Sequence, residues 1–133
     1  MKFLLDTDTC SQLARGRHPA VAERVSQHAR SDLAVSVITV GELRFGLASS
    51  SSASGLARRT EALLASIVCL NVDLAVTLQY ATLRAHLRRL GLPIGPNDHW
   101  IAAQALTADL TLVTGNTREF QRVPGLRVEN WLR

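Results

Sequence analysis

LLDTDTC, residues 4–10, decides the fold class. Phe3, Leu4 and Leu5 form a short strand-like run that ends on an acid, Asp6, and Asp8 follows two residues on. Three more acids stand at the ends of apolar segments. Glu42 follows the run from Leu33 to Val40, Asp98 heads the run from Trp100 to Leu106, and Glu119 comes just after Thr111–Thr114. A parallel α/β sheet gathers side chains this way, in the crevice at the carboxyl ends of its strands. Carboxylates gathered there without bases to neutralise them imply a hard divalent cation.

Outward from that stretch, strand-like and helix-like segments alternate, the pattern of an α/β fold with a parallel sheet. Lys2–Leu5 reads as the first strand. Asp8–Ala14 is a short helix stopped by Gly16, and Pro19 opens a second helix running to about Ala29. Leu33–Ile38, rich in β-branched residues, reads as a buried second strand, and Val40–Leu47 as a helix. Ser49–Gly55 is a low-complexity connection, Leu56–Ser66 an amphipathic helix and Val68–Asn71 a short third strand. Asp73 caps a long helix to Leu90, closed by Gly91 and Pro93. After the stiff turn Gly91–Pro96 come a helix over Asn97–Ala108, a fourth strand at Thr111–Thr114, one helical turn at Thr117–Phe120 and an edge strand at Leu126–Glu129. No repeat interrupts the chain, and residues 1–133 read as one domain.

Composition narrows the function classes. At 47% apolar and 20% charged residues the chain is expected to fold rather than stay disordered. No apolar stretch reaches the length of a membrane span, and the N-terminal run is too short for a signal peptide, so the expected location is cytoplasmic. Cys10 and Cys69 are too few for structural zinc and read as small buried hydrophobes. The net charge is +4, and Lys2 is the only lysine among fifteen bases. Arginine suits phosphate, so a basic chain with an acidic pocket points to a polyanionic substrate cut at a metal. A GC-rich genome produces the same excess of arginine.

Each acid also has a purely structural explanation. Thr39-x-x-Glu42 fits a capping box, Asp98 fits a first-turn acid favoured by the helix dipole, Asp8 fits an N-cap, and Glu119 fits an exposed surface. Asp6 resists such an explanation best. It follows a buried strand, and a buried carboxylate needs a cation or strong hydrogen bonds. With Asp98 as the second ligand, Asp6 fits Mg²⁺, which takes one or two carboxylates and keeps several waters.

Four stretches, in order, carry a family resemblance: LLDTDTC at 4–10, SVITVGELRFGL at 36–47, PIGPNDHWIAAQAL at 93–106 and LVTGNTREFQRVPGLRVENW at 112–131. Through them the chain resembles PIN-domain ribonucleases, and within these the VapC-type toxins of bacterial toxin–antitoxin pairs. The resemblance implies an α/β/α sandwich with a short parallel sheet and Mg²⁺- or Mn²⁺-dependent endoribonuclease activity. Asp6 and Asp98 fall on the family's principal metal ligands and Glu42 on its third acid. Where many PIN domains carry a fourth acid this chain has Asn116, and Glu119 three residues later can supply the charge. The implied chemistry is attack by metal-activated water on a phosphodiester, leaving a 5′-phosphate and a 3′-hydroxyl. Thr7, Thr114 and Asn116 are candidates to orient it. Arg15, Arg44, Arg84, Arg88 and Arg118 are candidates to track RNA, each also an ordinary solvated side chain. His99 beside Asp98 and Trp100 two residues on are more ordinary as packing residues.

The resemblance further implies a cognate VapB-type antitoxin that inserts a basic group into the acidic pocket, with the apolar faces of Val40–Leu47 and Leu56–Val68 as docking surfaces. It implies a homodimer to which the helix Leu74–Leu90 contributes, although Leu74, Leu78, Ala81 and Ala85 serve an ordinary core equally well. Among relatives with the same segments some cut tRNA, which makes a tRNA the expected target. Two alternatives compete. A PIN scaffold that has lost catalysis would act only by binding partners. A haloacid-dehalogenase-like phosphatase would use Asp6 as nucleophile, but it would need a downstream lysine and a late acid pair that this chain lacks.

Overall fold

The first strand, β1 (Phe3–Leu5), occupies the centre of a five-stranded, all-parallel sheet. The computed structural model describes residues 1–50 and 55–132. The strand order is β3-β2-β1-β4-β5, with β2 at Leu33–Ser36, β3 at Val68–Leu70, β4 at Thr111–Val113 and β5 at Val128–Glu129. Leu4 lies beside Ala34 on one side and Leu112 on the other. The chain thus builds outward from β1 in one direction, then returns and builds in the other. The crevice where the order reverses lies at the carboxyl ends of β1 and β4.

Alternation along the strands feeds two cores, one on each sheet face. Leu4, Ala34 and Leu112 point into a core filled by α5 (Leu74–Arg89) and α6 (Pro96–Thr107), through Val76, Leu83, Leu87 and Ile101. Leu5, Leu33, Val35 and Val113 point the other way. They meet Cys10 and Ala14 of α1 (Thr7–Arg15), Val21 and Val25 of α2 (Pro19–Ser26), and Leu56 and Leu63 of α4 (Leu56–Ser66). Trp131 closes this second core against Phe3 and His28. Two helical layers about one sheet make the expected α/β/α sandwich. Fully burying each such Leu or Val contributes about 1.5–3 kcal/mol.

Local chemistry sets the ends of the elements near the crevice. Asp6, and not Asp8, is the N-cap of α1: its Oδ1 accepts the Thr9 amide at 2.9 Å. Gly16, at φ +70°, ends that helix in the left-handed conformation that glycine adopts freely. Asp109 adopts φ +55° after α6, where the Leu110 amide bonds back to Ala105 O at 2.8 Å, and Arg127 pairs with its carboxylate at 2.9 Å.

Several expected boundaries are corrected. The second strand stops at Ser36, not Ile38, because the Ser36 Oγ accepts the Ile38 amide at 3.0 Å and starts α3 (Val37–Ser49) there. Thr39 therefore lies inside the helix and caps nothing, which removes the capping-box explanation of Glu42. The second helix ends at Ser26, short of Ala29. On α5 the residues Leu74 and Leu78 are 85% and 73% exposed, and Ala81 and Ala85 are exposed too, so they are not core. Cys10 is buried as expected, but Cys69 is exposed on the edge strand β3. The expected connection Ser49–Gly55 falls largely on residues 51–54, outside the described residues. No helix is long and apolar enough to cross a membrane, among the described residues.

Candidate active site

The crevice at the reversal point holds the predicted acids. A cavity of about 410 Å³ opens there, lined in part by Asp6, Thr7, Asp8, Glu42, Asp98 and Asn116. Each acid arrives from a different element: Asp6 from the end of β1, Glu42 from the second turn of α3, Asp98 from the first turn of α6, and Glu119 from α7 (Thr117–Phe120) after β4.

Asp6 is only 6% exposed. Burial pushes its pKa up; hydrogen bonds from the Thr114 hydroxyl and from Thr9 oppose that shift, and the Asp8 charge adds to it. Thr114 is itself fully buried and accepts the Asn116 amide at 2.9 Å, so the end of β4 is tied to the end of β1 through one hydroxyl. Glu42 accepts the Thr7 hydroxyl at 2.5 Å, and Thr7 also meets the Thr39 hydroxyl at 3.0 Å. The side chain expected to cap α3 instead braces Thr7 beneath Glu42.

Asp98 and Glu119 form the most strongly interacting pair. A Cβ added at Gly95 would meet Asp98 Oδ2 at 3.0 Å and Glu119 Oε1 at 3.8 Å, which places the two carboxyls side by side over that glycine. Asp98 is pushed up to about 7, first by burial, then by Glu119 beside it and by the charges of Asp6 and Glu42. Burial also works against ionisation of Glu119. It is outweighed by hydrogen bonds from the Gly95 amide (2.8 Å), Asp98 and Asn116, and by Arg122, so Glu119 stays below the usual carboxylate range. Between the two carboxyls, Asp98 is therefore the one that keeps its proton as pH rises toward 7.

None of these four acids forms an ion pair among the described residues; the three ion pairs there are Arg24–Glu129, Arg44–Glu61 and Arg127–Asp109. Nor do three His, Cys, Asp or Glu side chains close into a cage for a metal, among the described residues. The donor set is oxygen only, over-negative and sparse. It fits an ion that accepts two carboxylates and completes its sphere with water, as Mg²⁺ does, and does not fit structural zinc.

The structure brings Asp6, Glu42, Asp98 and Asn116 to one crevice, with Glu119 just outside its lining, against Asp98, the Gly95 amide and Asn116. Asn116 bonds Glu119, so the two residues weighed as alternatives at the fourth corner act as a unit. Asp8, exposed at the rim, contributes charge only. Thr39 and Gly95 shape the crevice, one bracing Thr7 and the other making room for Asp98, in ways the sequence pattern hid. Gly95 offered a signal, since a lone glycine between Ile94 and Pro96, three residues before an acid, marks close approach of another chain segment. Of the arginines proposed for RNA, Arg44 is already engaged by Glu61 through two hydrogen bonds.

Comparison with known proteins identifies the family and the fold. Residues 3–126 match the family described as PIN domain. A tRNA(fMet)-specific endonuclease VapC of Salmonella typhimurium is 34% identical over 131 residues, spanning 98% of this chain and 98% of that protein. A ribonuclease VapC1 of Haemophilus influenzae is 36% identical over 132 residues, again spanning 98% of each. Among solved structures, VapBC2 of Rickettsia felis bound to a DNA fragment from its promoter superposes with a TM-score of 0.91 at 30% identity, covering 98% of this chain and 99% of that one.

Proposed function

This chain belongs to the PIN-domain family, in its VapC ribonuclease branch, and on that premise we propose that it is a divalent-metal-dependent endoribonuclease that cuts a tRNA. The single observation that carries the proposal is the unneutralised carboxylate cluster at the crevice where the strand order reverses, with Asp98 pushed up to about 7 by its neighbours. A cluster that holds a proton so far above the ordinary carboxylate range is a site that gains from a cation.

Asp6 and Asp98 are the residues that would hold the ion. Mg²⁺ or Mn²⁺ in such a site supplies Lewis-acid polarisation of a phosphate oxygen and lowers the pKa of water. The protein's own groups orient the rest. The Thr7 hydroxyl and Thr39 fix Glu42, leaving its second oxygen free to accept a proton from an attacking water. The Gly95 amide and Asn116 fix Glu119 beside Asp98. Asn116, exposed at the mouth, offers a neutral donor and acceptor to a phosphate or a water. Hydrolysis in this arrangement leaves a 5′-phosphate and a 3′-hydroxyl.

The tRNA target rests on the Salmonella relative, which is named for tRNA(fMet). Single-stranded loops, whose bases can be splayed out, suit an open crevice of this kind. The test is to incubate purified protein and Mg²⁺ with initiator tRNA and with elongator tRNA(Met), and to map the ends of any products. Discrete cutting of the initiator in one loop supports the proposal; equal degradation of both, or of neither, overturns the tRNA specificity.

The chain is the toxin of a toxin–antitoxin pair, and its partner is a cognate VapB-type antitoxin. Leu43, Gly46, Leu47, Leu56 and Thr60 line the same cavity as the acids, so an antitoxin segment lying on α3 and α4 would deliver a basic side chain to them. The exposed Leu74 and Leu78 on α5 support a homodimer. A cytoplasmic location, alongside its RNA substrate, is part of the same proposal. The haloacid-dehalogenase-like alternative finds no support, and the intact acid cluster argues against a scaffold without catalysis.

A further inference from the structure

The acidic crevice raises a problem that it does not solve. Four carboxylates repel a polyanion, and one or two divalent ions at most balance them, so affinity for RNA must come from basic groups outside the crevice. Beyond the Gly91–Pro96 turn from Asp98 lies a second cavity, of about 580 Å³, lined by Arg84, Arg88, Gly91, Pro93, Ile94, Pro96 and His99. Its wall is the same first turn of α6 that carries Asp98, so the two cavities are neighbours across one helix end.

Three observations mark this cavity as a binding site. Neither Arg84 nor Arg88 is in any of the three carboxylate ion pairs among the described residues, unlike Arg24, Arg44 and Arg127. Arg84 is held in place instead: its guanidinium bonds the Tyr80 hydroxyl and lies over the Tyr80 ring, which stacks on Trp100 with centroids 3.6 Å apart. A braced arginine has already lost much of the rotamer freedom that binding would otherwise cost. Finally, His99 is 5% exposed yet lines the cavity, and the Gly95 and Pro96 backbone holds its imidazole as a fixed inner wall. The Arg122 guanidinium, bonded to Pro93 O at 3.1 Å, holds the intervening turn.

We propose that this cavity is a phosphate-binding subsite for the RNA backbone, in which Arg84 and Arg88 hold a phosphate neighbouring the one placed in the acidic crevice. The proposal rests on the reading of the chain as a nuclease for tRNA. Arg84 and Arg88 are binding residues and touch no reacting atom. Their loss weakens substrate binding alike for every sequence and leaves the rate of the bound complex near its original value.

The test uses a labelled anticodon stem-loop RNA of the initiator tRNA. Binding is measured on the Asp98→Asn protein, with and without Arg84→Ala and Arg88→Ala together, across a range of salt. Cleavage by the otherwise wild-type proteins gives KM and kcat. Arg17→Ala with Arg89→Ala, two exposed positions outside the cavity, removes the same charge as a control. Expected for the cavity variant are roughly tenfold weaker binding, a log–log salt slope flatter by about 1, a raised KM and a near-constant kcat. The paired Arg→Lys variant should keep the slope. If the unmodified protein neither binds nor cuts this RNA, the tRNA reading fails and takes the subsite with it. If it binds and cuts but the cavity variant matches the control, the subsite alone is overturned. Unchanged RNA binding with weakened antitoxin binding also overturns it, in favour of an antitoxin contact.

Discussion

Removing the Glu119 charge should change how protons compete with metal at Asp98. Gly95 places the carboxyls of Asp98 and Glu119 side by side, and their mutual repulsion, added to burial, pushes Asp98 up to about 7. Metal must displace that proton. One pH unit below 7, about ten of eleven molecules hold it, so apparent affinity for Mn²⁺ falls about tenfold between pH 8 and pH 6. Calorimetric titration in buffers of different ionisation enthalpy counts the protons directly: close to one released per ion at pH 6, and few at pH 8.5. Glu119→Gln keeps the shape and removes the neighbouring charge, so Asp98 titrates lower and proton release at pH 6 shrinks. The amide keeps one acceptor oxygen where the carboxylate had two, for the Gly95 amide or for Asn116, so a melting curve of the variant accompanies the titration. Equal proton release by the variant and the parent at pH 6, or metal affinity independent of pH between 6 and 8, would refute the coupling.

Four further outcomes follow from the same structure. Because Asp98 has a raised pKa when folded, its contribution is present below the unfolded value near 3.8 and is lost as pH rises through about 7. The metal-free protein should therefore lose thermal stability from pH 5 to pH 8, and Mg²⁺ should restore more at pH 8 than at pH 5; melting curves with and without the ion check this. Gly95→Ala puts a methyl group 3.0 Å from Asp98 Oδ2, so cleavage should drop more than tenfold in single-turnover assays while urea midpoints shift little. Trp131→Ala removes a fully buried ring packed against Phe3 and His28 and leaves Glu129 without its indole donor (3.0 Å); urea unfolding should register a loss of about 3–5 kcal/mol. A thiol reagent should modify exposed Cys69 at once and spare Cys10, whose pKa burial pushes far up, until the protein unfolds.

Much of this was legible because two periodicities coincide with the chemistry. Phe3–Leu5 ends on Asp6 and Thr111–Val113 is followed by Thr114, so the central pair of strands and the crevice between their ends can be read from residues alone. Where the pattern misled, a single side chain decided. Val37 and Ile38 are good strand formers, and only the Ser36 Oγ, bonding the Ile38 amide, turns them into the first turn of a helix. That shift moves Thr39 from cap to brace and gives Glu42 a hydroxyl partner 35 residues away, a tertiary contact with no local signature. On α5 two apolar stripes compete. Leu74, Leu78, Ala81 and Ala85 follow a helical period as well as Val76, Leu83 and Leu87 do, and the choice between them is made by which face meets α6. The pairing of Asn116 with Glu119 was equally hidden, since either residue satisfies the spacing and only the turn of α7 joins them.

The most direct test of the central claim is single-turnover cleavage of RNA by antitoxin-free protein, with Mg²⁺, with Mg²⁺ plus excess chelator, and with Asp98→Asn in Mg²⁺. The structure predicts discrete fragments bearing 5′-phosphates in the first case, none with chelator, and at least a hundredfold slower cutting by the variant, about 2.7 kcal/mol of lost transition-state stabilisation. Cleavage that persists in chelator, or an Asp98→Asn protein as active as the parent, would contradict the assignment of the acid cluster as a metal-dependent ribonuclease site.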